Sequence, residues 1–142
     1  EKRTAAFERT VGMPLTFAPG TTTVVQMKLA SKGAPYWERP DLGIGAPDVK
    51  AQGGGLSVIV HNLGSVDSPA AEIALVDAAG KTISTASVPA LKAPLDLTPR
   101  TAAVSLSIPS GTNLAGSRVV LDPGRKLTEI TRLNNEAVVP VR

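Results

Sequence analysis

The chain has no cysteine, which excludes disulfides and thiolate metal sites and leaves the redox compartment open. Aromatic residues make up only 3% of it, too few to supply the stacking platforms that accompany a clustered basic face in nucleic-acid-binding proteins. The Lys and Arg residues number 15 against 12 Asp and Glu, but they are scattered, and no run is denser than Gly124-Arg125-Lys126. That pattern is a solvated surface, and no nucleic-acid partner is expected. No apolar stretch approaches the roughly 20 residues of a membrane-spanning helix. The chain opens on Glu1-Lys2-Arg3 rather than a signal peptide, so an export signal is expected upstream of residue 1.

What is present points to strands. A length of 142 residues suits one domain, or one domain carrying a piece of a neighbour. The apolar fraction of 42% comes mainly from Ala, Val, Leu and Ile, and 13 Gly and 12 Pro punctuate the chain throughout, as many short strands joined by turns require. Residues 1–12 are charged and fit a short helical turn or a lead-in. Met13 to Ala18, the turn dipeptide Pro19-Gly20 and the β-branched run Thr21 to Leu29 read as a hairpin. Residues 31–40 hold two prolines and a glycine, together with the only Tyr and the only Trp, and read as a connector.

From Asp41 onward strands and turns alternate. Leu56, Val58 and Val60 are expected on one face, with Ser57, Ile59 and His61 on the other. Gly53-Gly54-Gly55 before them is a flexible turn. Ile73 and Leu75 share a face, Lys81 to Val88 reads as an edge strand, and Pro89 to Pro99 is a loop. Ala102, Val104, Leu106 and Ile108 alternate with Thr101, Ala103, Ser105 and Ser107, the clearest half-buried strand in the chain. Arg118 to Leu121 and Glu136 to Val141 complete the set. About seven strands at roughly 8–12-residue spacing predict two packed antiparallel sheets. The expected fold class is therefore all-β, an Ig-like or fibronectin type III-like sandwich with an extra N-terminal hairpin. The expected divisions are 1–34, a connector at 35–40, and the sandwich at 41–142. Lys81, Lys92 and Pro140 read as guards against edge-to-edge pairing.

Asp122-Pro123-Gly124, Glu129 and Asn134-Asn135 lie between the last two strands. An Asp before Pro-Gly starts a turn by accepting backbone N–H groups, and paired Asn residues tolerate left-handed backbone. Glu129 is expected to satisfy donors of the same loop. Carboxylates and amide oxygens are also calcium ligands, but no spaced Asp-x-Asp-x-Asp loop accompanies them, and the structural-loop reading of Asp122, Glu129, Asn134 and Asn135 is preferred over a metal site.

With Pro40-Asp41-Leu42 and Val58-Ile59-Val60-His61-Asn62-Leu63-Gly64, these residues resemble a CARDB domain, the cell-adhesion-related domain found in bacteria, over about residues 40 to 141. The resemblance implies a sandwich in exported or cell-surface proteins, in tandem or appended to enzymes, with no catalytic residues to carry over. One departure is Arg132, where the family often has a second acidic residue, and it weighs against a metal in the loop. The Pro14-Leu15-x-Phe17-x-Pro19-Gly20-x-Thr22 pattern loosely resembles the closing strands of accessory β-domains of glycan-degrading enzymes.

His61 is the lone histidine and has no orienting partner legible in sequence, so it reads as a partly buried strand residue rather than a general base. No Gly-x-Ser-x-Gly elbow, His-Glu-x-x-His, Walker loop or Gly-x-Gly-x-x-Gly is present. No catalytic residue, metal or cofactor is assigned. The expectation is a non-catalytic spacer or interaction module of an extracellular, cell-surface or periplasmic bacterial protein, ancillary to a polysaccharide-degrading enzyme. Its partners are other domains of the parent chain, a protein or a polysaccharide. The second reading is a carbohydrate-binding module using Tyr36 and Trp37 as a platform for pyranose rings.

Overall fold

The computed structural model of the chain describes residues 19–22 and 33–140. The chain divides into two compact units, Glu1–Ala30 and Ser31–Arg142. In the first, Pro19 and Gly20 form the expected turn, with Gly20 at φ 77°. The hairpin strands on either side, and the helical turn expected in 1–12, lie outside the described residues, as does Val141.

The second unit contains β1 (Leu42–Gly43), β2 (Val49–Gln52), β3 (Gly55–Asn62), β4 (Ala71–Val76), β5 (Thr82–Val88), β6 (Arg100–Ser107), β7 (Arg118–Leu121) and β8 (Glu136–Val138). Single 3-10 turns at Tyr36–Glu38 and Ala46–Asp48 precede β1 and separate it from β2. β6 pairs with β3 along its whole length, from Gly55↔Ser107 to Asn62↔Arg100. β1 and β2 share the opposite edge of β3, at Leu42↔Asn62 and at Val49↔Val58 respectively, so together they make one interrupted strand. The other sheet runs β5-β4-β7-β8. All pairings are antiparallel. Three strands face four in the connectivity of a fibronectin type III-like sandwich, and the count of seven is recovered once β1 and β2 are taken as one.

Alternation explains why these segments pair as they do. Leu56, Val58 and Val60 project from β3 with no more than 1% of their surface exposed, and meet Ile73, Leu75 and Leu121 of the other sheet, which are completely buried. The core is aliphatic, as the composition requires. The β2–β3 turn is tight because Gly53 and Gly54 both sit at positive φ, 56° and 79°, and this two-residue loop joins Gln52 to Gly55 as a primed turn does. In β4 the periodicity of sequence is exceeded: Ala74 and Val76 on the outer face are buried as well. β4 lies between β5 and β7, and Ala74 is flanked by Thr85 and Val120.

Leu75→Ala is expected to lower stability by about 3 kcal/mol in urea unfolding through the cavity it leaves. Leu95→Ala, at a residue 79% exposed, is expected to change it by no more than about 0.5 kcal/mol.

Candidate functional site

Two regions of the sandwich gather chemistry-bearing residues. The first is the β7–β8 loop. Asp122, at φ 43°, accepts the Lys126 N–H on Oδ1 at 3.0 Å and the Leu127 N–H on Oδ2 at 2.9 Å, so its carboxylate closes the turn that Pro123-Gly124 begins. Arg125 follows at φ 51°; the left-handed conformations of the loop fall on Asp122 and Arg125 and not on the paired Asn residues. Glu129 reaches further than its own loop. Its Oε1 accepts the Leu42 N–H at 3.0 Å, across 87 positions of sequence, and its Oε2 accepts from Asn135 Nδ2 at 2.8 Å. The Asn134 carbonyl accepts the Ile44 N–H, and the Asn135 carbonyl accepts the Leu121 N–H.

Arg132 is the residue whose role sequence reasoning missed. Its Nη1 donates to Asp122 Oδ2 and to Glu129 Oε2, both at 3.1 Å, and its Nη2 donates to the Asp122 carbonyl at 2.8 Å. The guanidinium fills the space between the two carboxylates, so these side chains as they stand do not fit a metal ion. Among the described residues no group of three or more His, Asp or Glu side chains converges to hold one. The only sequence signal was a lone cation three residues from one acid and ten from the other.

Asn62 does comparable work at the end of β3. Only 1% exposed, it accepts the Asp41 and Gly64 N–H groups on Oδ1 and donates through Nδ2 to the Val66 and Lys92 carbonyls. Gly64 passes so close to the chain that a Cβ there would lie 2.5 Å from Asp41 N and from Pro40 C. The Asn-x-Gly pattern is thus a hydrogen-bonding hub beside an obligatory close approach. His61 has a partner that sequence did not disclose: its Nε2 lies 3.1 Å from Asp48 Oδ1, and Asp48 Oδ2 accepts the Gly45 N–H. No hydroxyl is hydrogen-bonded to His61 among the described residues. Ser57, on the same face, is four residues or about 13 Å along the strand, out of reach of an imidazole base.

The second region is one end of the sandwich. Tyr36 and Trp37 lie on the first 3-10 turn, which is fastened to the β3–β4 loop: Ser65 Oγ donates to the Trp37 carbonyl at 2.6 Å and the Ser65 N–H to the Arg39 carbonyl. Trp37 is 72% and Tyr36 62% exposed. The Arg39 guanidinium stacks 4.8 Å from the centroid of the Tyr36 ring. Around them Leu63, Leu95, Leu97 and Ile130 line a shallow depression of about 570 Å³. The loop bearing Leu95 and Leu97 is held by Leu97 N–H to the Pro94 carbonyl, by Asp96 capping the Thr98 N–H, and by Arg100 on Asp96.

Burial opposes ionisation of Asp122, but the N–H groups of Leu127 and Lys126 and the Arg132 guanidinium outweigh it and hold the carboxyl below its usual value. Burial pushes Glu129 upward instead, against the pull of Asn135, the Leu42 N–H and Arg132, and the Asp122 charge adds to the rise.

No family model matches the chain, and neither does any curated protein. Among solved structures it is similar to the CARDB domain of a Pyrococcus furiosus protein, determined in complex with di-metal ions. The identity is 19% and the TM-score 0.44, over 70% of this chain and 89% of that one. That neighbour is of the family whose motifs the sequence resembles.

The two acids tilt stability in opposite directions with pH. Asp122, with its lowered value, stabilises the fold above the unfolded carboxyl pKa, and this is lost as pH falls through the folded value. Glu129, with its raised value, favours the fold when protonated, and this is lost as pH rises through the folded value. Asp122→Asn is expected to flatten the acid limb of a stability curve measured by urea unfolding between about pH 3 and pH 7, and Glu129→Gln to remove the opposing decline. Arg132→Met, which strands two carboxylates, is expected to cost about 2 kcal/mol at about pH 7 and less at about pH 4.

Proposed function

We propose that this domain is a non-catalytic interaction module of an exported bacterial protein, and that it works by packing its apolar end against a neighbouring domain of the parent chain. The observation that carries the reading is the end face itself. Tyr36, Trp37, Leu63, Leu95 and Leu97 are each more than half exposed, and they adjoin one open depression. A monomeric surface rarely leaves such a patch uncovered without a use. The segment that enters the sandwich contributes both aromatics, which suits a contact made close to a domain junction. Leu97, 93% exposed, is held at φ 61°, a conformation that costs a leucine energy and fits a displayed contact residue. The loose likeness of residues 13–30 to accessory β-domains supports an ancillary place beside a polysaccharide-degrading enzyme.

Carbohydrate binding through Tyr36 and Trp37 is the second reading, favoured by the open indole of Trp37. Against it, pyranose recognition combines an aromatic platform with convergent polar groups. Here the platform is ringed by leucines, and Arg39 occupies one face of Tyr36.

A photo-crosslinking residue at Leu95 in the full parent protein is expected to capture a second domain. Trp37→Ala is expected to weaken that docking by about 2 kcal/mol, roughly thirtyfold, while leaving the domain's own unfolding within about 0.5 kcal/mol. No polypeptide product from Leu95, together with glycan binding lost on Trp37→Ala, would replace this reading with the carbohydrate one.

A further inference from the structure

The chain enters the sandwich at one end and leaves it at the other. β1 runs antiparallel to β3 and begins opposite Asn62, at the end where Tyr36, Trp37, Leu63 and Ile130 line the apolar depression. β8 runs away from that end. Its last residue, Val138, lies opposite Arg118, which also pairs with Val76 at the close of β4, and the Val139 N–H donates to the Ser117 carbonyl. Between these points the entering segment and the segment leading into β8 lie side by side. Ile130 N–H donates to the Pro40 carbonyl at 3.2 Å, Leu42 N–H to Glu129 Oε1 at 3.0 Å, and Ile44 N–H to the Asn134 carbonyl at 2.9 Å. Residue numbers rise together, from 40 to 44 and from 130 to 134, so the two segments run parallel. In a regular parallel ladder the Leu42 N–H would go to the Ile130 carbonyl. The Glu129 carboxylate takes that rung instead, and Asn135 and Arg132 hold its second oxygen. The opposite edge of the entering segment is fastened to the end of β3 and the residues after it: Leu63 N–H donates to the Asp41 carbonyl, Ser65 N–H to the Arg39 carbonyl, and Asp41 N–H to Asn62 Oδ1.

We propose that this parallel contact is a tension clamp, and that the domain carries mechanical load between the parts of the parent chain on either side of it. Pulling on the points of entry and exit draws the 40–44 segment toward the apolar end and the 130–138 segment away from it. The rungs joining the two segments lie across the pull, so they are strained together and must break together. In a pair opened from one end, each rung meets the load alone. Resistance to force is governed by the unfolding rate, and a concerted rupture slows that rate. The Glu129 rung is charge-assisted and withdrawn from water, which strengthens it, and Arg132 keeps its carboxylate charged and in place. A load-carrying role goes beyond the docking read at the apolar end and does not rest on it, since no rung of the clamp uses the Trp37 side chain.

Constant-force unfolding of the whole chain in magnetic tweezers tests this, and the absence of native cysteine lets the handles be placed by substitution. Glu38→Cys with Pro140→Cys, both at exposed positions, pulls from end to end. Glu38→Cys with Leu95→Cys, also exposed, pulls across the apolar end alone. At the same force, end-to-end unfolding is expected to be slower by at least about tenfold. Arg132→Met is expected to narrow that ratio to about threefold or less, because it removes the cation behind Glu129. Leu75→Ala, which weakens the core, is expected to speed unfolding in both directions and keep the ratio. Equal rates in the two directions for the otherwise unaltered chain overturn the proposal, and this comparison stands even if Arg132→Met does not fold. So does an Arg132→Met protein that keeps the full ratio, or a Leu75→Ala protein that loses it.

Discussion

A carboxylate withdrawn from water needs a donor for each oxygen, and Glu129 obtains its donors from distant parts of the chain. One oxygen holds the first strand of the sandwich through Leu42 N–H, and the other holds Asn135 and Arg132 just ahead of the last strand. The β7–β8 loop behaves in consequence as an irregular extra strand that closes one side of the sandwich and joins its two sheets. Arg132 makes this affordable. Without a cation between Asp122 and Glu129 the loop would bury two like charges side by side, and the low dielectric that strengthens each hydrogen bond would strengthen their repulsion as well.

Among the described residues, the sandwich then has three surfaces of distinct character. The loop side is finished by internal hydrogen bonds. On the other long side β5 lies beside β6, where Ser84 Oγ donates to the Ser107 carbonyl, and one end of the sandwich displays leucines and aromatics. None of these presents an activated nucleophile. The one imidazole–carboxylate pair, His61 with Asp48, fastens β3 to the 3-10 turn that interrupts the first strand, and its geometry is that of a local clasp.

Much of the sandwich was legible because a half-buried strand writes its burial into alternate residues. β3 and β6 show this best: Leu56, Val58 and Val60, then Val104 and Leu106, are the buried members of each alternation. Glycine punctuation located the β2–β3 turn for a related reason, since few other residues accept two successive positive φ angles. β1 was not legible, because a strand of two residues has no period. It exists because Asn62 and Glu129 hold it against β3. The site was legible in part. Asp122 could be read as a turn-former from the Pro-Gly that follows it, whereas the donors of Glu129 lie across the fold and no local pattern announces them.

The sequence by itself determined the fold class, the aliphatic character of the core, and the absence of thiol chemistry, since composition and two-residue periodicity act locally and leave their marks in order along the chain. Only the tertiary structure decided that Arg132 sits between two acids, that His61 has a carboxylate, and that Tyr36 and Trp37 face outward among leucines. Each of these is a meeting of residues far apart in sequence or a direction in which a side chain points. Both are set by how the sheets pack, and packing is a property of the whole chain rather than of any segment of it.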